Sequence, residues 1–147
     1  MLCKRDRIVS WIGAIVAAAI VGQTLPFKFM GAELPVRIFT LLGQEPVGRI
    51  GGAVVELVAV VLLLIPRTAV YGAVLTLGVM AGAILGHLTV LGIEIRSESG
   101  EVLDSGELFV MAWIVTLAAA AVLWVRRGEL PFVGPKLACG VSRSQKA

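Results

Sequence analysis

The chain has 147 residues, of which 58% are hydrophobic and 16% are charged, and its formal net charge is +3 at pH 7. A soluble domain of this length is about 45–50% apolar and about a quarter charged, so the composition excludes an ordinary soluble domain. The apolar residues are grouped in long runs, which indicates a membrane protein.

Four of these runs are long enough to cross a bilayer as helices. A spanning helix needs about 20 mainly apolar residues, and backbone groups in lipid must find their hydrogen-bond partners within the helix. We therefore predict an all-α polytopic membrane protein with four transmembrane helices in an antiparallel bundle, forming one domain over residues 1–127. The predicted spans are about residues 8–25, 47–65, 69–93 and 107–125.

The first run has one alternative interpretation, a cleaved signal peptide. Residues 4–7 would be its charged region and residues 8–20 its apolar region. The apolar run continues past the alanines at 17–19 without a polar cleavage region, which favours a retained span. Cleavage would leave three spans and place the mature N-terminus outside.

Residues 27–46, between the first two spans, are too polar to cross a membrane and too apolar for an ordinary loop. Pro35 can occupy a first helical position, and Gly43 can close a helix. We predict a short interfacial or re-entrant helix here, with an irregular loop as the alternative. Such a helix could cover the outer end of the bundle.

The basic residues lie mainly on one side of the four-span arrangement. Of the thirteen Lys and Arg residues, all lie on the side of the two termini except Lys28, Arg37, Arg49 and Arg96. The positive-inside rule then places both termini in the cytoplasm. Basic ends of this kind are typical of topology signals and anionic-lipid contacts, and we predict no nucleic-acid partner.

The segment between the last two spans is acidic, and the tail is polar. The acidic residues predict a solvated loop, and the alternative, a cation-binding loop, lacks the spacing of a calcium site.

Residues 128–147 have too little hydrophobic periodicity to fold alone and should form a partly disordered cytoplasmic tail. Cys3 and Cys139 show neither a CxxC motif nor zinc spacing, so we predict no metal site and no cysteine redox centre.

Small residues recur every four positions in two spans. The third span contains Gly78, Gly82 and Gly86, and the second contains Gly48 and Gly52. This spacing allows the backbones of membrane helices to approach closely. Tight packing within the bundle is the simpler interpretation, and a homo-oligomer through Gly78, Gly82 and Gly86 is the alternative.

Glu56 is the one charged residue inside the second apolar run, close to mid-bilayer depth. A carboxylate there is costly in free energy and suggests a functional site. Arg49, with Glu45 four residues before it, lies on the same face of the helix. His87 in the third span differs from Glu56 in depth by about 5 Å, and Lys28 closes the first span at the same end.

We therefore predict that Lys28, Arg49, Glu56 and His87 converge on a ligand-binding or proton-relay site, with a Glu56–His87 pair at its centre. The structural alternative is a buried polar pair that only sets the helix register. The sequence contains no nucleophile–base pair and no phosphate-binding loop, so we predict no catalytic residue.

Several short motifs also carry a family resemblance. They are FKF at 27–29, GRIG at 48–51, VEL at 55–57, LIPR at 64–67 and HL at 87–88. Over residues 11–127 the chain resembles the DoxX-like family of bacterial membrane proteins. The resemblance implies a four-helix protein of the bacterial inner membrane. It also implies functional roles for Lys28, Arg49, Glu56 and His87.

Some DoxX-like proteins are subunits of a thiosulfate:quinone oxidoreductase, and others are linked to oxidative-stress or thiol redox complexes. The leading hypothesis is accordingly a non-catalytic subunit that supports redox chemistry in a partner protein and holds a quinone or lipid near Glu56 and His87. One alternative is a small transporter or proton-linked carrier in which Glu56 titrates. The other is a structural membrane scaffold.

Overall fold

The computed structural model describes residues 4–127, so the predicted tail, Cys3 and Cys139 lie outside the described residues. Within that range the helices are α1 (Lys4–Met30), α2 (Glu33–Leu41), α3 (Val47–Leu64), α4 (Ala69–Gly86) and α5 (Glu107–Arg126). A π-helical turn (His87–Leu91) continues α4. Two short strands, β1 (Ile95–Arg96) and β2 (Val102–Asp104), pair as an antiparallel hairpin.

Four of these helices are long and apolar enough to cross a membrane: α1, α3, α4 with its π-helical turn, and α5. Each packs against two of the others in the ring order α1, α3, α4, α5, so the bundle is closed. The all-α class, the four spans and the short helix between the first two are confirmed. We call the end with α2, the π-helical turn and the hairpin the loop end, and the opposite end, with Lys4 and Arg126, the terminal end.

Helix α1 extends about one turn beyond its predicted end. Pro26 lies inside it, although a proline lacks the N–H donor that the interior of a helix requires. Gly31 (φ +71°) closes α1 in the left-handed conformation, and the Ala32 N–H donates to the Phe27 carbonyl at 2.9 Å. The extension places Lys28 on the last helical turn.

The short helix α2 lies across the loop end and packs against α1, α3 and the π-helical turn. The Phe39 ring covers α3 at Gly48 and Gly52, where an added Cβ would lie 3.3 Å and 3.7 Å from ring atoms. Pro35 is buried in the first turn of α2, at the third residue and not the predicted first. Gly48 and Gly52 of α3 therefore leave room for Phe39 and allow α2 to pack closely on α3.

The acidic segment forms a hairpin that the sequence did not predict. The Ser97 N–H donates to the Glu101 carbonyl at 2.8 Å across it. The buried Asp104 carboxylate then accepts from the N–H groups of Gly106 (3.0 Å) and Leu108 (3.3 Å). Because these N–H groups lie at the start of α5 and have no helical acceptor, Asp104 caps that helix.

The glycine stripe of α4, formed by Gly78, Gly82 and Gly86, is only partly packed against other helices. A Cβ added at Gly78 or Gly82 would meet no atom within 4 Å, whereas Gly86 is buried beside Leu42 and Leu91. The prediction of tight packing within the bundle is therefore wrong for Gly78 and Gly82. Association of two copies through this stripe stays a prediction.

Helices α3 and α4 approach closely at a different glycine. A Cβ at Gly72 would lie 2.5 Å from the Leu63 backbone nitrogen. Helices α1 and α5 make a similar approach, where a Cβ at Gly13 would lie 2.9 Å from the Ala118 carbonyl oxygen. Such contacts allow dispersion forces and close packing to hold membrane helices together.

We expect Gly72→Ala to lower the Tm of the detergent-solubilised protein, because the added methyl group would overlap with the α3 backbone at a cost of about 1–3 kcal/mol. Gly78→Ala is the matched control in the same helix. Its methyl group enters open space, and alanine favours a helix over glycine by about 1 kcal/mol, so its Tm should be unchanged or higher. Equal values for the two variants would contradict the close approach at Gly72.

Candidate functional site

The buried carboxylate of Glu56 forms an ion pair with the half-buried Lys28, between α3 and α1. The Lys28 Nζ lies 2.5 Å from Oε1 and 2.6 Å from Oε2 of Glu56. Glu56 is 6% exposed, and the Lys28 side chain is 18% exposed. A carboxylate among apolar helices requires a cation or several hydrogen-bond donors. Lys28 supplies the charge and two hydrogen bonds.

The directions of the helices explain how these side chains meet from different depths. The backbone carbonyl of Lys28 lies at the level of Arg49, which donates to it, and Glu56 is two turns further along α3, about 10 Å. Each Cα–Cβ bond tilts toward the N-terminus of its helix. Helix α1 runs toward the loop end, so the Lys28 side chain tilts toward the terminal end. Helix α3 runs away from the loop end, so the Glu56 side chain tilts toward the loop end, and the two side chains approach each other.

Arg49 is the second cation of this region, and it is buried. Its Nε donates to both carboxylate oxygens of Glu45, at 2.9 and 3.0 Å, and its Nη2 lies 2.8 Å from Oε1 of the same residue. Its Nη1 donates to the Lys28 carbonyl. That carbonyl belongs to the last turn of α1, where helical acceptors lack partners and a positive charge is favourable. Arg49 therefore stabilises the end of the helix that carries Lys28.

These four residues, Lys28, Glu45, Arg49 and Glu56, form one connected unit, which we call the loop-end charge cluster. Lys28 links the two ion pairs of the cluster, since its ammonium binds Glu56 and its carbonyl accepts a hydrogen bond from Arg49. Two cations and two carboxylates give the cluster a formal charge of zero. The structure thus brings three of the predicted site residues together and confirms Glu45 as the i,i+4 partner of Arg49.

His87, the fourth predicted site residue, lies apart from the cluster. Its Nδ1 is 2.8 Å from the Gly92 carbonyl oxygen, and the Gly92 N–H donates to the His87 carbonyl at 2.9 Å. Because a carbonyl can only accept, Nδ1 must carry the hydrogen. The ring also packs on Phe109 of α5, with centroids 5.5 Å apart. His87 therefore closes the π-helical turn.

The predicted Glu56–His87 pair is not formed among the described residues. Glu56 faces α1 through its bonds to Lys28, whereas the His87 ring faces α5. Counted from the contact between Gly72 and Leu63, His87 lies about 12 Å nearer the loop end than Glu56, so the predicted depth difference of about 5 Å was wrong. The difference in depth and the different helices that they contact together separate the two side chains.

Thr76 is a buried polar residue that the sequence did not single out. Its Oγ1 has no hydrogen-bond partner among residues 4–127. Thr76 shares the buried face of α4 with Ala73 and Met80. Counted from the contact between Gly72 and α3, its depth is within about 5 Å of that of Glu56. A threonine in an apolar run is usually satisfied by its own helix, so the sequence carries no signal of this orphan hydroxyl.

A second buried arginine lies at the terminal end. The Arg126 Nε donates to the Ser10 hydroxyl at 2.5 Å, and its Nη1 donates to the Pro66 carbonyl. These contacts join α5, α1 and the turn between α3 and α4. An arginine at the end of an apolar run is typical of an exposed topology signal, so its burial could not be predicted.

Within residues 4–127, no group of three or more His, Cys, Asp or Glu side chains could hold a metal ion. Comparisons of the chain with protein-family models, with curated proteins and with solved structures found no match. The DoxX-like resemblance therefore rests on the sequence motifs alone.

We expect Lys28→Met to lower the free energy of unfolding by about 3–5 kcal/mol, because it leaves the buried Glu56 carboxylate without its partner. Glu56→Leu should lower it by less, because the Lys28 ammonium that it leaves is partly exposed. The double variant should recover most of this loss, since it removes both charges. The free energies of unfolding of the wild type, the two single variants and the double variant, measured in mixed detergent micelles, form a double-mutant cycle that gives the interaction energy of the pair.

Glu98→Gln is the control, since it removes a carboxylate that is 87% exposed and pairs with Arg37 at the surface. That change should alter stability by less than about 1 kcal/mol. Additive losses in the Lys28/Glu56 double variant would show that the two side chains do not interact.

Proposed function

We propose that this chain is a DoxX-like, non-catalytic membrane subunit that binds the polar head of a neutral amphiphile, with a quinone as the leading candidate, at the loop-end charge cluster. The four apolar helices support the membrane setting. The observation that carries the proposal is the Lys28–Glu56 ion pair inside a spanning bundle, because ionisable groups placed there are costly and usually functional.

The charge of the cluster favours a neutral ligand over an anion. The two cations and two carboxylates balance, so an anionic head group would gain no net attraction. A lysine ammonium has three N–H donors, and the two oxygens of Glu56 take two of them. The third donor of Lys28 remains for a carbonyl oxygen, which a quinone offers on an apolar ring soluble in the bilayer.

The orphan hydroxyl of Thr76 supports the same proposal. A buried hydroxyl without a partner costs about 1–3 kcal/mol, and Thr76 faces the bundle interior at a depth close to that of Glu56. A ligand with a second oxygen would satisfy it. The redox step itself is assigned to a partner protein, as the DoxX-like resemblance implies.

A second candidate function is a structural scaffold. It is favoured by the observation that every charge of the cluster is already paired with another residue of the cluster. On this view the cluster locks α1 to α3 and sets their register, and no ligand is needed. The two candidates differ in what the protein retains when it is purified.

The test is extraction of the full chain from its native membranes in mild detergent, followed by mass spectrometry of the bound small molecules. We expect the wild-type protein to retain a quinone. The Lys28→Met/Glu56→Leu double variant, which avoids an unpaired charge, should retain at least about tenfold less. Thr76→Val removes the orphan hydroxyl, so it should be at least as stable as wild type while binding the quinone less tightly.

Gly78→Ala, on the open face of α4, is the control and should retain the wild-type amount. Equal amounts of quinone in wild type and in the double variant would contradict the proposal. A wild-type protein free of quinone, in cells whose physiology the double variant leaves intact, would favour the scaffold. A proton-coupled flux in vesicles that Glu56→Gln abolishes would instead favour the carrier.

A further inference from the structure

The terminal end gathers basic residues from three separate segments. The Arg126 guanidinium contacts Ser10 of α1 and Pro66 of the turn between α3 and α4. Arg7 lies one turn before Ser10, Arg67 follows Pro66, and Arg127 follows Arg126. The contacts of Arg126 therefore place Arg7, Arg67 and Arg127, which we call the terminal arginines, around one region of the bundle.

The terminal arginines have no acidic partner in the part of the chain that the structure describes. Arg7 and Arg67 are exposed, and Arg127 is half-buried with its guanidinium 4.4 Å from the centroid of the Trp124 ring. None of them lies within ion-pair distance of a carboxylate of residues 4–127. The sequence of residues 128–147 contains three more Lys or Arg residues and one Glu.

The apolar surroundings indicate where this charge lies relative to the bilayer. Trp124 is 70% exposed beside Arg127, and Ile8 and Leu64, at the same end, are also exposed. Tryptophan rings with apolar neighbours at the end of a spanning helix are typical of the head-group level. The terminal arginines thus lie where lipid phosphates are found.

We propose that the terminal end binds the head groups of anionic phospholipids, with the phosphate held by the terminal arginines. A guanidinium can donate two parallel hydrogen bonds to a phosphate, so arginine is suited to this group. Basic clusters between helix ends bind multiply charged lipid head groups in the same way. This inference uses only the terminal end, so it is independent of the ligand proposed for the loop-end charge cluster.

The experiment titrates the purified full chain in non-ionic detergent with phosphatidylglycerol or cardiolipin, and follows the Tm and the number of bound lipids by native mass spectrometry. Phosphatidylcholine is the zwitterionic control, and inorganic phosphate tests a free-phosphate site. We expect the anionic lipids to bind and to raise the Tm at physiological salt, and phosphatidylcholine and inorganic phosphate to do neither.

The Arg67→Gln/Arg127→Gln variant should bind the anionic lipids about 10- to 30-fold more weakly, as expected for the loss of two basic contacts. The matched control, Arg37→Gln/Arg96→Gln, removes the same charge at the loop end and should bind as wild type. Arg7→Gln changes an exposed side chain and should weaken binding by a smaller factor, which guards against a misfolded double variant. Equal weakening in the two double variants, or equal binding of phosphatidylcholine, would overturn the proposal.

Discussion

The fold depends on one requirement, that the carboxylate of Glu56 be neutralised inside a bundle of apolar helices. Lys28 meets it with two hydrogen bonds of 2.5 and 2.6 Å. For Lys28 to reach that position, α1 must continue past Pro26, and its last turn must be held against α3. Arg49 supplies that hold through the Lys28 carbonyl. The neutralisation of the buried Glu56 carboxylate thus accounts for the extension of α1 and for the position of Arg49.

Both ends of the bundle contain a buried arginine that joins neighbouring segments, but the two ends differ in net charge. At each end a buried arginine donates to a backbone carbonyl, Arg49 to that of Lys28 and Arg126 to that of Pro66. Measured along α3, the two levels are about 25 Å apart, close to the thickness of the hydrocarbon core of a bilayer, about 30 Å. The loop-end charge cluster is neutral as a whole, whereas the terminal end carries a net positive charge. A neutral amphiphile and an anionic head group are the ligands that these two chemistries favour.

The spans could be predicted because hydropathy alone identifies a helix that must cross a bilayer, and Glu56 could be singled out because it interrupts such a run. Its partner could not be predicted in the same way. When every face of a helix is apolar, the sequence contains no signal for its rotation or for its depth relative to its neighbours, and the two together decide whether Glu56 meets Lys28 or His87. The His87 ring instead packs on Phe109 of α5. Gly78 and Gly82 show the same limit, since their four-residue spacing did not reveal that they face outward.

The pairing of Lys28 with Glu56 is tested most directly by an experimental density map of the full chain in lipid nanodiscs at a resolution that shows side chains. We expect density for the Lys28 ammonium between the two Glu56 oxygens and for the Arg49 guanidinium at the Lys28 carbonyl. A Glu56 carboxylate that faces the acyl chains, or that is hydrogen-bonded to His87, would contradict it.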